Sequence, residues 1–205
     1  MTEITQENRS HRRAAVRKAE ILKAAAHLFA KKGFHPTTVK DIAAAADMSE
    51  GSIYNYFESK EQLYVALLDR LIELQNKESI YTKTLPADTR SFLYSVFEIQ
   101  HEFVKNNHEL IKAVIPEVII NDSYREKFFR EFYTPAISYF ILQFQARDVL
   151  GQIRPVNHQM LSYSLVGLLY GFYMLQLSDN PIFKGEWESL LDQTISLIYE
   201  GLSPD

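Results

Sequence analysis

Apolar residues recur at the helical period along most of the chain, and no two alternating runs are joined by a hairpin dipeptide, so the pattern predicts an all-α fold. From Ala14 to Lys32 the stripe is Ile21, Leu22, Ala25, Leu28 and Phe29, with bases on the opposite side. Gly33 stands where a C′ glycine stops a helix, and His35-Pro36 breaks the chain. Thr37 or Thr38 offers the N-cap hydroxyl for a short second helix, Val39 to Ala46. After a tight turn at Asp47-Met48, Ser49 caps a third short helix ending near Phe57. Ser59 and Gln62 have the spacing of a capping box for a fourth, Lys60 to about Lys77, with Leu63, Ala66, Leu67, Leu71 and Leu74 on its buried stripe. Further helices are expected near Thr89–Asn106, His108–Ile120, Ser123–Arg147, Asn157–Leu177 and Glu186–Gly201, with breaks at Pro116, Gly151, Pro155, Pro181 and Gly185.

Composition narrows the class. With 205 residues, 46% hydrophobic and 23% charged, the chain suffices for one large domain or two small ones and is too apolar for disorder. Zero cysteines exclude disulfides, thiolate nucleophiles, Cys-ligated zinc and iron–sulfur clusters. No run approaches the roughly 18 uninterrupted apolar residues of a membrane span. The polar start, MTEITQENRSHRRAAVRK, has no apolar signal core. A soluble cytoplasmic protein without a membrane partner is expected. The net charge of −4 hides an asymmetry: Arg9 to Lys40 carries +8 and the remainder −12. A basic end on an acidic body fits attraction to a polyanion, and equally a solvated helix face.

Thr38 to Phe57 has helix-turn-helix spacing. Ile42, Ala43 and Ala46 face inward from the first helix, Met48 plugs the turn, and Ile53 and Phe57 pin the second. Glu50, Gly51, Ser52, Tyr54, Asn55 and Tyr56 remain outward at a helix start, where free N–H groups favour phosphate. Gly51 and Ser52 let the backbone approach base edges, and Tyr54 and Tyr56 offer hydroxyls to phosphate.

The string GFHPTTVKDIAAAADMSEGSIYNYFESKEQLY resembles the DNA-binding signature of TetR-family transcriptional repressors. The matching positions are Gly33-Phe34, Thr38-Val39, Ile42-Ala43, Ser49 and Gly51, Tyr54 and Phe57, and Lys60-Glu61 with Leu63. One departure is Asp47, where the turn usually carries Gly; Asp is among the few residues that tolerate positive φ. The resemblance implies phosphate anchoring by Thr38 and Lys60, bases near Lys40, Gly51 and Ser52, and backbone clamping by Tyr54 and Tyr56. Glu50 either accepts from a cytosine N4 or improves the helix start through its charge. The expected organisation is a flexible basic arm over residues 1–13, in which Arg12 and Arg13 reach a minor groove or stay disordered. A helix-turn-helix domain over 14–75 and a ligand-binding and dimerisation bundle over 76–205 follow.

The resemblance assigns that bundle two tasks, homodimerisation and inducer binding. Asn157 to Leu177 is apolar nearly all round, and Gly167 and Gly171 allow a close helix approach, within one chain or between two. Of 26 aromatic residues, 20 lie from Tyr81 onward. Phe97, Phe103, Phe128, Phe132, Tyr133, Tyr163 and Tyr170 are candidates for the wall of a site for a small hydrophobic or aromatic inducer, although such stripes also make ordinary cores.

No phosphate loop, dinucleotide fingerprint or nucleophile elbow is present, so no enzyme and no cofactor are expected. His101-Glu102 and His108-Glu109 stand seven residues apart, about 10.5 Å on a helix, too far to share a metal ion. Two function classes remain: a ligand-released repressor on a palindromic operator, and a helical small-molecule-binding or interaction protein of the same fold that binds no operator.

Overall fold

The computed structural model describes residues 2–78, 85–178 and 182–204. All of its regular elements are helical: α1 (Thr2–Lys32), α2 (Val39–Ala45), α3 (Glu50–Tyr54), α4 (Lys60–Glu78), α5 (Thr89–Asn106), α6 (His108–Ile120) and α7 (Asp122–Phe128). A π-helical turn (Phe129–Tyr133) follows, then α8 (Thr134–Val149), α9 (His158–Leu177), α10 (Ile182–Gly185) and α11 (Trp187–Leu202). They divide into two compact units. One is the chain up to Leu71 together with Glu109–Arg125; the other is Ile72–His108 with the chain from Glu126 on. The first unit therefore closes before residue 75 and also takes in α6, which local sequence pattern does not reveal.

In the first unit α1 begins at Thr2, so Arg12 and Arg13 stand on a helix instead of in a loose arm. No proline or glycine interrupts Thr2 to Lys32, and nothing local stops the helix before Gly33. Gly33 takes φ +87 and donates its N–H to the Phe29 carbonyl, ending α1 as a C′ glycine. Ile21, Ala25, Phe29, Phe34, Ile42, Ala43, Ile53, Phe57, Leu63 and Leu67 are buried in the core of this unit. Tyr64 is fully buried, and its hydroxyl donates to the Val114 carbonyl of α6 at 2.7 Å. Burial pushes its phenol well above the ordinary tyrosine range. Pro116 does not break α6 but lies inside it. It removes one N–H from the helix ladder without ending the helix.

In the second unit Phe92, Leu93, Phe97, Phe140, Phe144, Leu165, Leu191 and Ile195 belong to one core. Arg147 is buried at its edge, with the guanidinium 3.8 Å from the Phe92 ring centroid and hydrogen-bonded to Gln143 and the Pro86 carbonyl. The expected single helix over Ser123–Arg147 is continuous but changes pitch at the π-helical turn. Pro135 has no N–H to offer, so it sits at the start of α8, where that loss is tolerated, and the Thr134 hydroxyl donates to the Phe129 carbonyl. Gly151 turns the chain with φ +65, and Glu186 separates α10 from α11 after Gly185, as expected. The expected break at Pro181 lies outside the described residues. Over its 20 residues α9 is long and apolar enough to cross a membrane by length and composition alone.

Candidate nucleic-acid interface and ligand cavity

The geometry of the basic unit starts from its caps. Thr38 is the N-cap of α2: its hydroxyl accepts from Asp41 N at 3.1 Å, and its own N–H donates to Asp41 Oδ2 at 2.9 Å. The same carboxylate accepts from Lys32 Nζ at 2.7 Å, and that bond, with those from Thr38, holds Asp41 well below the usual carboxylate range. Thr37 is not the cap; it is buried and its hydroxyl donates to the Gly33 carbonyl. Asp47 takes φ 55, the one positive value at a non-glycine residue among the described residues, so the turn has the left-handed geometry for which glycine is the ordinary choice. Ser49 caps α3 by accepting from Ser52 N, and the two hydroxyls lie 2.7 Å apart.

This framework leaves the expected surface outward. Thr38, Lys40, Glu50, Gly51, Tyr54 and Asn55 are exposed, and Ser52 and Tyr56 half-buried, while Ile53 and Phe57 on the other side are buried. A Cβ built on Gly51 meets nothing within 4 Å. Its lack of a side chain is therefore not needed for packing. α3 is shorter than expected: Asn55 is its C-cap, and residues 55–57 leave the helix as a turn.

Lys60 is placed differently from what the resemblance implies. Its Nζ donates to the carbonyls of Phe34, His35 and Thr37 at 2.9, 3.1 and 3.0 Å and lies 4.3 Å from the Phe34 ring centroid. An ammonium has three protons, and here all three are engaged. Lys60 ties the start of α4 to the loop between α1 and α2.

A cavity of about 50 Å³ lies in the second unit. Of the aromatic candidates, Phe103, Phe128, Phe132, Tyr133 and Tyr170 line it. Phe97 does not: it is buried in the core with its ring 5.6 Å from that of Phe172. Tyr163 does not either; it is 52% exposed, on the side of α9 away from the inward-facing Ser162, Leu165 and Val166. The wall also holds Phe140, another aromatic of the same stripes, together with Gln75, Gln100 and Tyr173, which the aromatic pattern does not mark. A lone glutamine carries no periodic signal, and periodicity does not choose among four aromatics on one helix. Burial raises the phenol pKa of both Tyr133 and Tyr173 well above the ordinary value.

Elsewhere in the second unit several large apolar side chains are exposed. On α9, Met160 (65% exposed), Tyr163, Leu168 and Leu175 point outward, and on α11 Leu197 is 74% exposed. A Cβ on Gly167 or Gly171 meets nothing within 4 Å of its own chain. Among the described residues no three His, Asp or Glu side chains gather as a metal site would require.

Residues 21–67 match the family described as bacterial regulatory proteins, tetR family. The chain is 33% identical over 104 residues to the HTH-type transcriptional repressor KstR2 of Rhodococcus jostii, a match spanning 50% of this chain and 50% of that one. It thus matches about half the length of that curated relative. An uncharacterized HTH-type transcriptional regulator of Bacillus subtilis, YvkB, is 26% identical over 90% of this chain and 96% of its own. Among solved structures, Salmonella enterica GusR superposes with a TM-score of 0.71 at 24% identity, covering 90% of this chain and 94% of that one.

Proposed function

We propose that the chain, whose residues 21–67 match the tetR family of bacterial regulatory proteins, is a cytoplasmic, homodimeric transcriptional repressor that binds a palindromic operator and leaves it when a small lipophilic guest occupies the second unit. The observation that carries this reading is the outward surface of α3. Glu50, Gly51, Tyr54 and Asn55 stay exposed while Ile53 and Phe57 anchor the helix from behind. With Lys40 nearby on α2, that surface offers one cation, hydroxyls and an amide to a duplex groove.

Dimerisation supplies the second copy of the surface. Met160, Tyr163, Leu168 and Leu175 of α9 and Leu197 of α11 are exposed apolar side chains, and the open space beside Gly167 and Gly171 leaves room for a neighbouring helix. A palindromic operator read by a two-fold dimer requires the two α3 helices about one DNA turn apart, about 34 Å. A guest that binds better to a chain in which that spacing is wrong shifts the population off DNA.

Selection of bound fragments from the host genome tests the reading. Enrichment of a short inverted repeat is expected. Recovery of no sequence above background supports instead a helical binding protein that keeps the fold without an operator.

A further inference from the structure

The wall of the cavity in the second unit contains no Asp, Glu, Lys, Arg or His side chain. The polar groups on that wall are the amides of Gln75 and Gln100 and the hydroxyls of Tyr133, Tyr170 and Tyr173, and two of their atoms are buried without a partner. Gln75 Oε1 and Tyr173 Oη are both buried and have no hydrogen-bond partner in the chain, in residues 9% and 3% exposed. Buried polar groups are normally paired, and these two lie on residues of one wall.

We propose that the cavity takes a neutral, largely apolar molecule with one hydroxyl, whose O–H donates to Gln75 Oε1 and whose oxygen accepts from the Tyr173 hydroxyl. The assignment rests on reading the second unit as the ligand-binding body of a regulator. Other chemistries fit less well. A carboxylate or phosphate brings a charge into a wall with no cation to receive it. The raised phenol pKa values of Tyr133 and Tyr173 show the same resistance to negative charge. A quaternary ammonium finds ring faces but has no N–H or O–H for Gln75. A ketone satisfies Tyr173 and leaves Gln75 unpaired.

At about 50 Å³ the cavity exceeds what one water needs, roughly 10–15 Å³, and falls short of the roughly 300 Å³ of a pocket for a drug-sized guest. A larger guest therefore enters by turning wall side chains. Phe132 and Tyr133 stand on the π-helical turn and Phe128 directly precedes it. Such turns are often found at functional sites, where the helix ladder is already interrupted.

Calorimetric titration of the full chain, without DNA, tests the assignment with four guests of similar length: n-octanol, methyl hexyl ketone, octanoate and octyltrimethylammonium. Octanol is expected to bind at least tenfold tighter than either charged guest and severalfold tighter than the ketone. Gln75→Leu should weaken octanol alone and bring it to the level of the ketone. Tyr173→Phe should weaken both, while the empty variant melts no lower than the parent, because the removed hydroxyl had no partner. Absence of octanol binding, equal or tighter binding of a charged guest, or octanol affinity unchanged in both variants overturns the proposal. Operator binding by the same preparation is a separate measurement. A chain that binds DNA but not octanol overturns the guest assignment alone, and one that binds octanol but no DNA overturns the repressor reading alone.

Discussion

Gly51 separates folding from recognition at a single residue. A methyl group there touches nothing, and alanine is a better helix former than glycine by up to about 1 kcal/mol. Gly51→Ala should therefore leave the melting temperature unchanged or raise it, while lowering operator affinity at least tenfold because the backbone can no longer approach the bases. Equal operator affinity in parent and variant would place Gly51 outside the interface. Lys60 and Lys40 should behave oppositely to each other. Lys60→Ala leaves three carbonyls without their ammonium and should destabilise the fold by about 1–3 kcal/mol, with the salt dependence of DNA binding unchanged. Lys40→Ala should leave stability alone and reduce the salt slope by about one unit. A reduced slope in the Lys60 variant would restore that side chain to the phosphate contacts.

Among the elements, α9 carries the argument for pairing. Gly167→Leu adds a side chain into open space in the single chain but into the partner helix of a dimer. Sedimentation equilibrium should show the variant as a monomer with intact helical content; an undisturbed dimer would move the interface elsewhere. α5 and α11 offer a spectroscopic handle, since Trp187 is the sole tryptophan and stacks on His101 with ring centroids 4.0 Å apart. Burial, the largest influence, holds the His101 imidazole below its ordinary value of 6.5. As pH falls, the unfolded chain takes up this proton first, so the contribution to stability is complete above about pH 6.5 and declines below it. Trp187 emission should then titrate with a midpoint below pH 6.5, and His101→Gln should abolish the transition. A midpoint at or above 6.5 would contradict the buried stack.

Elements also show where the sequence was readable. Gly33, Asp47, Ser49 and the Ile42–Ile53–Phe57 contacts were legible because caps, turns and apolar spacing act within a few residues. Bases before Ala14 suggest an arm, whereas α1 begins at Thr2, with no proline or glycine from there to Lys32. The π-helical turn left no pattern, since Pro135 signals a helix start and not a change of pitch. Gln75 and Tyr173 were missed for another reason: an unpaired polar atom is a property of three-dimensional packing, invisible in spacing.

At the scale of the whole molecule, operator binding requires two copies of one surface held at a fixed spacing on a duplex. The charge asymmetry of the sequence agrees with this, with +8 gathered between Arg9 and Lys40. Hydroxyl-radical footprinting of the full chain on a genomically selected fragment tests that requirement most directly. The account predicts two symmetric protected patches with centres about one helical turn apart, about 34 Å, both lost in Gly51→Leu although the variant remains folded. A single patch, or protection that survives Gly51→Leu, would contradict it.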